Sequence, residues 1–314
     1  MAASLAKKHL LSVTDLTAAE IEDVWRVAAA QKSGETPREQ QLAIARGKSL
    51  ALLFDKASLR TRVGFEVAMG QLGGHAVYFA PADVKIGQRE AVRDAARVLG
   101  RTVDAIAARL SSHAHIAELA EHAGVSVINA MSDLEHPCQA LADLLTIREH
   151  RGSLKGAEVA WVGDGYNVCH SLLLICGMFG VNLRVATPAT YEPRADIVQR
   201  GQAAAAKSGA SISVGNDPRA AVRDADVIYT DVWVSAGQEE AAVRRHADFR
   251  DFQVNQELVG LAKPKAMVLH CLPAHRGEEI TDEVMDGPQF AGFDQAENRL
   301  HTQRALLTLM LGRQ

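Results

Sequence analysis

The sequence predicts an α/β protein made of two doubly wound parallel-sheet domains. The chain has 314 residues, which is enough for two domains of medium size. Short apolar runs alternate with helical patterns along it, and this order is typical of parallel sheets covered by helices on both faces. A polar, glycine-bearing segment at 151–157 follows a long helical pattern and precedes a new strand, so we place a domain boundary there.

The individual elements follow from these patterns. Strands are predicted at 50–54, 76–79, 105–108, 125–129, 158–162, 183–186, 212–214, 227–230 and 266–269. Helices are predicted near 61–73, 89–100, 115–123, 137–150, 168–179, 194–207, 217–223 and 297–312. The predicted domains therefore cover 1–150 and 151–296, and a last helical segment covers 297–314.

Composition excludes several classes of protein. The net charge of −4 gives no reason to expect nucleic acid or an anionic membrane as the main partner. No apolar run reaches the length of a membrane span, and the first residues lack the layout of a signal peptide. The four cysteines form no CxxC pair, which predicts reduced thiols in a cytoplasmic protein.

Ligands of doubly wound sheets bind beyond the carboxyl ends of the strands, so polar residues directly after strands are the candidates. Ser58, Leu59, Arg60, Thr61 and Arg62 follow the first strand and open a helix. A helix start offers free N–H groups and the positive end of the dipole, and arginine suits phosphate. This group predicts an anion site, and the alternative is an N-cap serine with solvated arginines.

A second group, His136-Pro137-Cys138-Gln139, follows the strand at 125–129. Proline favours the first helical position, so His136 and Gln139 lie on one face of a helix start. An imidazole and an amide there could hold a carbonyl group. The alternative is a helix cap that binds no ligand.

Two further groups follow strands of the second domain. The turn before Asn167 has two glycines, but Val168 occupies the place of the third glycine of a dinucleotide fingerprint. We therefore interpret it as a turn that presents Asn167 at a helix start. Asp231 precedes a Ser235-Ala236-Gly237 loop and could bind an amino group, although an ordinary polar loop is the alternative.

The last group is His270-Cys271-Leu272-Pro273, at the end of the final strand. Proline cannot continue a central strand, so the chain turns out at this edge and presents Cys271 there. His270, Cys271 and His275 form a weak zinc pattern, because they have no CxxC partner. Cys271 could also be a nucleophile, but no motif identifies its base.

These five groups, in this order and with Glu297-Asn298-Arg299 before the last helix, resemble the ornithine carbamoyltransferases over the whole chain. The resemblance implies two α/β domains with the active site in the cleft between them, and a homotrimer, or a multiple of trimers, whose sites share a loop. It implies that the first domain binds carbamoyl phosphate, that the second binds ornithine, and that the last helix packs back on the first. It implies transfer of the carbamoyl group to the δ-amine of L-ornithine, giving L-citrulline and phosphate, in arginine biosynthesis in the cytoplasm. It implies no cofactor and no metal.

The resemblance also assigns roles to individual residues. Carbamoyl phosphate is expected to bind Ser58, Leu59, Arg60, Thr61, Lys85, Arg109, His136, Gln139, Cys271, Leu272 and Arg299. Ornithine is expected to bind Asn167, Asp231, Ser235 and, through its backbone, Ala236. The residues expected to act in catalysis are Arg60, Arg109, His136 and Cys271.

The chain departs from the family pattern at four positions. Leu59 replaces a threonine, Lys85 a glutamine, Tyr166 an asparagine, and Ala236 a methionine that lines the ornithine pocket. The change at Ala236 keeps open a carbamoyltransferase for another amine or an acylated ornithine. Two other classes are alternatives: a nicotinamide dehydrogenase, which would need a complete glycine fingerprint, and a catalytically silent binding subunit.

Overall fold

The computed structural model describes residues 5, 8–83, 85–235 and 239–312. These residues form two compact units. The first unit comprises the described residues of Met1–Ala142 and Glu297–Gln314, and the second is Asp143–Ala296. Each unit contains one parallel sheet with helices packed on it, which confirms the predicted fold class.

The first unit is built on a four-stranded parallel sheet in the order β2-β1-β3-β4. Its strands are β1 (Ser49–Phe54), β2 (His75–Phe79), β3 (Ala105–Arg109) and β4 (Ser126–Met131). Its helices are α1 (Ala18–Ser33), α2 (Arg38–Ile44), α3 (Leu59–Gln71), α4 (Val92–Leu99) and α5 (His113–His122). The chain moves outward from β1 to β2 and then returns to the other side of β1. The strand order therefore reverses between β1 and β3, where ligands of such sheets bind.

The alternating direction of side chains along the strands explains how the two faces of this sheet are covered. Alternate residues of a strand point to opposite faces, and both faces are buried along β1, β3 and β4, whereas the edge strand β2 is partly exposed. One face packs against α4 and α5 in a cluster formed by Ala51, Leu53, Val92, Ala96, Ile106, Ala108, Ile116, Leu119 and Val127. Burial on both faces requires nearly continuous apolar strands, which is the pattern that the sequence shows at β1 and β3.

The second unit has a five-stranded parallel sheet in the order β7-β6-β5-β8-β9. Two helices link the units along the chain, α6 (Pro137–Arg151) and α13 (Gly292–Leu311). The strands are β5 (Glu158–Val162), β6 (Asn182–Ala186), β7 (Ile212–Gly215), β8 (Val227–Thr230) and β9 (Met267–His270). The other helices are α7 (Asn167–Phe179), α8 (Ala195–Ser208), α9 (Pro218–Val222), α10 (Ala242–Phe249), α11 (Gln256–Val259) and α12 (Asp282–Met285). In this sheet the order reverses between β5 and β8.

The turn after β5 requires glycine for steric reasons. A Cβ atom on Gly165 would lie 2.3 Å from the backbone nitrogen of Pro193 and 2.5 Å from the carbonyl oxygen of Tyr191. Gly163 has a φ of 143°, a conformation that side chains rarely adopt. The two glycines thus serve a close backbone approach, and α7 begins directly after the turn.

All nine predicted strands are present, with bounds that differ by at most two residues. Five helices were not predicted from the sequence: α1 and α2, which precede the first strand, and α10, α11 and α12. A capping box marks the start of α1, since Thr17 accepts a hydrogen bond from the N–H of Glu20 and the Glu20 side chain accepts one in return. In the described part of the chain, no helix combines the length and apolar character needed to cross a membrane.

Candidate functional site

The first cluster of predicted site residues lies at the start of α3 in the first unit. Ser58 is the N-cap of this helix, and its hydroxyl accepts a hydrogen bond of 3.4 Å from the N–H of Thr61. The side chain of Leu59 is 72% exposed, whereas Thr61 is fully buried. Leu59 can therefore serve a ligand only through its backbone, whose N–H belongs to the first helical turn and has no partner within the helix.

Thr61 is the point where arginines from two other elements meet. Its hydroxyl oxygen accepts hydrogen bonds from Arg299 Nη2 at 3.0 Å and from Arg109 Nη1 at 3.5 Å. Arg299 also donates through Nη1 to Gln139 Oε1 at 2.6 Å. Residues at the end of β3, in the first turns of α3 and α6, and on α13 are thus brought together within the first unit.

His136, directly before α6, lies among these cations. Burial, and then the charges of Arg299, Arg109 and Arg60, hold the pKa of His136 well below its usual value. The imidazole is therefore neutral at pH 7, and the charges of three guanidiniums act on it. A site with this concentration of positive charge favours a ligand that carries more than one negative charge.

The loop that presents His136 is held by buried polar residues that the sequence analysis missed. Ser132 accepts a hydrogen bond from the N–H of Glu135 at 3.2 Å, and its own N–H donates to the Glu135 carbonyl at 2.9 Å. The Glu135 carboxylate accepts the N–H of Val13 at 3.1 Å, and Asn129 donates to the carbonyl of Leu11 at 2.9 Å. A buried charged or amide side chain near a strand end indicates that it supports the loop there. The partners of Glu135 and Asn129 lie more than a hundred residues away in the sequence, so a local pattern does not reveal them.

No hydrogen bond among the described residues joins Lys85 to this cluster. Lys85 begins the turn 85–90, where its carbonyl accepts the N–H groups of Gln88 and Arg89 at 2.9 and 2.8 Å. Its side chain is exposed and makes no hydrogen bond or ion pair with another described residue. The structure of this single chain does not bring Lys85 to the arginines.

The second cluster lies at the ends of β8 and β9 in the second unit. These strands pair in register at Thr230 and His270, so the residues that follow them are neighbours. Asp231 Oδ1 accepts the N–H of Val232 at 2.8 Å and the thiol of Cys271 at 2.9 Å. Burial raises the pKa of Asp231, and the neighbouring His270 and the hydrogen bond from Cys271 oppose this rise. A carboxylate here gains strongly from a cationic ligand.

The turn that carries Cys271 is stabilised by two buried residues, His270 and Glu279. His270 Nδ1 accepts the N–H of Leu272 at 2.8 Å, so Nε2 carries the proton and donates to Glu279 Oε1 at 3.0 Å. The same glutamate oxygen accepts the N–H of His275 at 2.6 Å. Leu272 has a φ of 57°, which is uncommon for a residue with a branched side chain. The sequence analysis missed Glu279.

Two groups in the described residues could offer metal ligands. One is formed by Asp231, His270 and Cys271, and the other by His275, Glu278 and Glu279, in each case with candidate atoms within 4.8 Å of one another. Both ring nitrogens of His270 are engaged in the hydrogen bonds described above. The first group would have to break one of these bonds before His270 could bind an ion.

The other two ornithine-binding candidates that the structure describes lie in the same unit. Asn167 is the first residue of α7 and is buried, with Oδ1 accepting the N–H of Val168 at 2.8 Å. Ser235 is half-buried, five residues beyond the end of β8. The fourth candidate, Ala236, lies outside the described residues.

Comparison with known proteins places this chain in a family. Residues 8–149 match the family model for the carbamoyl-P binding domain of aspartate/ornithine carbamoyltransferase, and residues 155–310 match the model for its Asp/Orn binding domain. The chain belongs to the aspartate/ornithine carbamoyltransferase family. The family resemblance predicted from the sequence is therefore confirmed.

Individual relatives within the family are similar over nearly their whole length. The chain is 50% identical to the anabolic ornithine carbamoyltransferase of Pyrococcus furiosus, and the match covers 99% of both chains. Its structure is similar to a solved ornithine carbamoyltransferase from Pyrococcus furiosus, with a TM-score of 0.94, 50% identity and coverage of 99% of both chains. The solved anabolic enzyme from Campylobacter jejuni gives a TM-score of 0.90 at 36% identity, over 97% of this chain and 99% of the other.

Family membership decides between the alternatives for the glycine turn at the end of β5. The dinucleotide interpretation is excluded, since the second unit matches the Asp/Orn binding domain of the carbamoyltransferase family. The turn presents Asn167 at the start of α7, as the sequence analysis expected.

Proposed function

We propose that this protein is an ornithine carbamoyltransferase of arginine biosynthesis. It transfers the carbamoyl group of carbamoyl phosphate to the δ-amine of L-ornithine, giving L-citrulline and phosphate. The observation that carries the proposal is the convergence of Arg109 and Arg299 on Thr61, with Arg299 also bound to Gln139. The charges of Arg299, Arg109 and Arg60 also act on the buried His136 and help to keep its pKa low. The solved relative that is named anabolic and the 50% identical anabolic relative support the biosynthetic direction.

The first unit, with the last helix, binds carbamoyl phosphate in this proposal. Ser58, Thr61 and the backbone N–H of Leu59 contact the phosphate at the start of α3, where the helix dipole is positive. The three arginines offset the negative charge, which shifts fully onto phosphate when the bond to the carbonyl carbon breaks. Lys85 is retained as a further phosphate contact, supplied to the site of a neighbouring subunit.

The carbonyl oxygen of the donor is held by His136 and Gln139. The imidazole is neutral, so it can donate one N–H to the carbonyl oxygen without adding a full charge to the ground state. Arg60 and Arg109 stabilise the oxygen as it gains charge in the transition state. Cys271 and Leu272, at the turn after β9, complete the surroundings of the reacting carbon.

The second unit binds ornithine. Asp231 holds the α-ammonium, and Asn167, Ser235 and the backbone of Ala236 hold the α-carboxylate. The attacking δ-amine must be neutral, although an alkyl ammonium has a reference pKa of about 10.4. Desolvation and nearby cations favour loss of its proton. Cys271 donates to Asp231, and this bond fixes the thiol where it can orient the δ-amine.

The reaction balances without a cofactor or metal. The δ-nitrogen forms a bond to the carbonyl carbon, and the bond from that carbon to the phosphate oxygen breaks. The proton that the amine loses is accepted by the departing phosphate. Arginines and amide groups supply all the stabilisation of charge that these steps need.

We also propose that the protein is a homotrimer, or a multiple of trimers, in the cytoplasm. On α3, Leu59, Val63 and Val67 recur every four residues and are 72%, 48% and 39% exposed. An exposed apolar stripe on one helix face indicates a protein–protein contact. All four cysteines are free thiols, which suits a reducing compartment.

The test is a transfer assay with carbamoyl phosphate and a panel of acceptors. We expect citrulline and phosphate to form with L-ornithine, and much slower phosphate release with putrescine, an acylated ornithine or aspartate. A preference for another amine would assign the protein to a different acceptor and would implicate Ala236. Failure of every acceptor to react would support a silent binding subunit and contradict the proposal.

A further inference from the structure

A buried ion pair stands outside the residues discussed so far. Arg245 of α10 pairs with Asp164, in the glycine turn after β5, through Nη2 and Oδ2. The two side chains are only 8% and 7% exposed. Both charges are removed from water, which is costly unless each makes further favourable contacts.

Arg245 makes two further kinds of contact. Its Nε donates to the carbonyl oxygen of Trp233 at 2.5 Å. Its guanidinium carbon lies 4.7 Å from the ring centroid of Tyr191 and 5.1 Å from that of Phe249. The flat guanidinium is therefore fixed by two hydrogen bonds in its plane and by aromatic rings against it, an arrangement that a lysine cannot reproduce.

The two groups that Arg245 binds, the Asp164 carboxylate and the Trp233 carbonyl, lie close in sequence to the proposed ornithine-binding residues. Asp164 stands three residues before Asn167, and Trp233 stands between Asp231 and Ser235, two residues from each. These two loops follow β5 and β8, which are the neighbouring strands where the order of the sheet reverses. One guanidinium thus ties together the two loops that carry the proposed ornithine-binding residues.

We propose that Arg245 is a positioning residue for ornithine, which holds the loop of Asp231 and Ser235 in register with the turn of Asn167. This inference rests on the proposed function, because it assigns a purpose to the geometry of that acceptor site. Arg245 does not touch the substrate in this scheme. It acts through the Trp233 carbonyl and the Asp164 carboxylate.

Charge gives a second reason for the pairing. The pKa of Asp164 is raised to about 7, mainly by burial and also by the nearby Asp231, while Arg245 opposes the rise. Without Arg245, two carboxylates would share this region with no fixed cation between them. Asp164 would then take up a proton or move away, and either change would alter the surroundings of Asp231.

The experiment compares Arg245→Gln with Arg244→Gln. Arg244 is the adjacent arginine on α10, with a side chain 75% exposed and a pairing to Asp248, so it is a matched control. We expect Arg245→Gln to raise the KM for ornithine about 10- to 100-fold, the range that misplaced binding groups produce. The KM for carbamoyl phosphate should stay within about twofold, and Arg244→Gln should match the wild type in both constants.

Two conservative variants keep the test decisive if Arg245→Gln does not fold. Arg245→Lys keeps the charge but cannot make both bonds, and Asp164→Asn keeps the size of the side chain. We expect an intermediate rise in ornithine KM for each, with thermal unfolding measured alongside. An unchanged ornithine KM in these folded variants, or a parallel rise in both KM values, would overturn the proposal. A wild-type enzyme that fails to use ornithine would instead refute the proposed function.

Discussion

At the scale of single residues, Thr61 shows how a hydroxyl can orient charge without neutralising it. It accepts hydrogen bonds from both Arg299 and Arg109, and it carries no charge of its own. The guanidiniums are therefore aimed by hydrogen bonds to a neutral oxygen, and their charge remains to attract an anion. Gln139 acts in the same way on the other branch of Arg299.

Replacing this hydroxyl tests the arrangement. Thr61→Val keeps the shape of the side chain and removes the acceptor. We expect the Kd for carbamoyl phosphate to rise about 10- to 100-fold, because hydrogen bonds to charged groups contribute about 1.5–3 kcal/mol. Calorimetric titration measures the change, and Thr102→Val, at an exposed hydroxyl, is the control. Equal affinities in the two variants would show that Thr61 does not orient the arginines.

His136 predicts a dependence of stability on pH. Its pKa in the folded protein lies well below 6.5, so the unfolded chain takes up this proton first as pH falls. The free energy of unfolding should therefore be highest above about pH 6.5 and should decrease below it, by at most about 1.4 kcal/mol per pH unit from this group. Urea unfolding between pH 7 and 5 should show a flatter profile for His136→Gln. The exposed His75→Gln should keep the profile of the wild type, and identical profiles for all three would contradict the assignment.

At the scale of elements, α3 has two distinct roles on its two sides. Its start presents Ser58 and Thr61 to the arginine cluster, and its exposed side carries Leu59, Val63 and Val67. Apolar residues four positions apart lie on one face of a helix and form a continuous stripe. One short helix would thus link the ligand site to the proposed contact between subunits.

A charge on the stripe tests this second role. We expect the wild type to have about three times the chain mass of 33.8 kDa, or a multiple of that, in light scattering after size exclusion. Val63→Asp should shift the protein to the mass of a single chain, because burying an unpaired carboxylate at an interface is costly. Val243→Asp, at an 88% exposed valine of α10, should leave the mass unchanged. A Val63→Asp protein with wild-type mass would place the contact elsewhere.

At the scale of the whole molecule, the two substrates are assigned to different units of the chain. The arginine cluster belongs to the first unit, and Asp231 belongs to the second. The arginine cluster and the group around Asp231 each lie where the strand order of the sheet of their own unit reverses. The division predicts that single substitutions separate the binding of the two substrates.

Asp231→Ala is the simplest such substitution. We expect the KM for ornithine to rise about 100-fold or more, because the α-ammonium loses its counter-charge. The Kd for carbamoyl phosphate, measured by calorimetry without ornithine, should stay within about twofold. Arg109→Met should give the reverse pattern. If Asp231→Ala weakened carbamoyl phosphate binding as strongly as ornithine binding, the assignment of substrates to units would be wrong.

The strands, and the residues that follow them, could be located from the amino-acid pattern alone. Strand position depends on a local pattern of apolar residues, so all nine strands were predicted to within two residues. The groups at Ser58, His136, Asn167, Asp231 and Cys271 were found because each lies within a few residues of the end of a strand. The substrates, in contrast, came from resemblance to a family, since no single group specifies a ligand.

Which of these groups are neighbours, and which residues hold them, depends on the folded chain. Arg299 reaches Thr61 across 238 positions of sequence, and Arg245 reaches Asp164 across 81. Such pairs depend on strand order and helix packing, and a local pattern contains no record of either. The supports of the site, Ser132 and Glu279 among them, are buried polar residues, and their role follows from partners that only the folded chain brings within hydrogen-bonding distance.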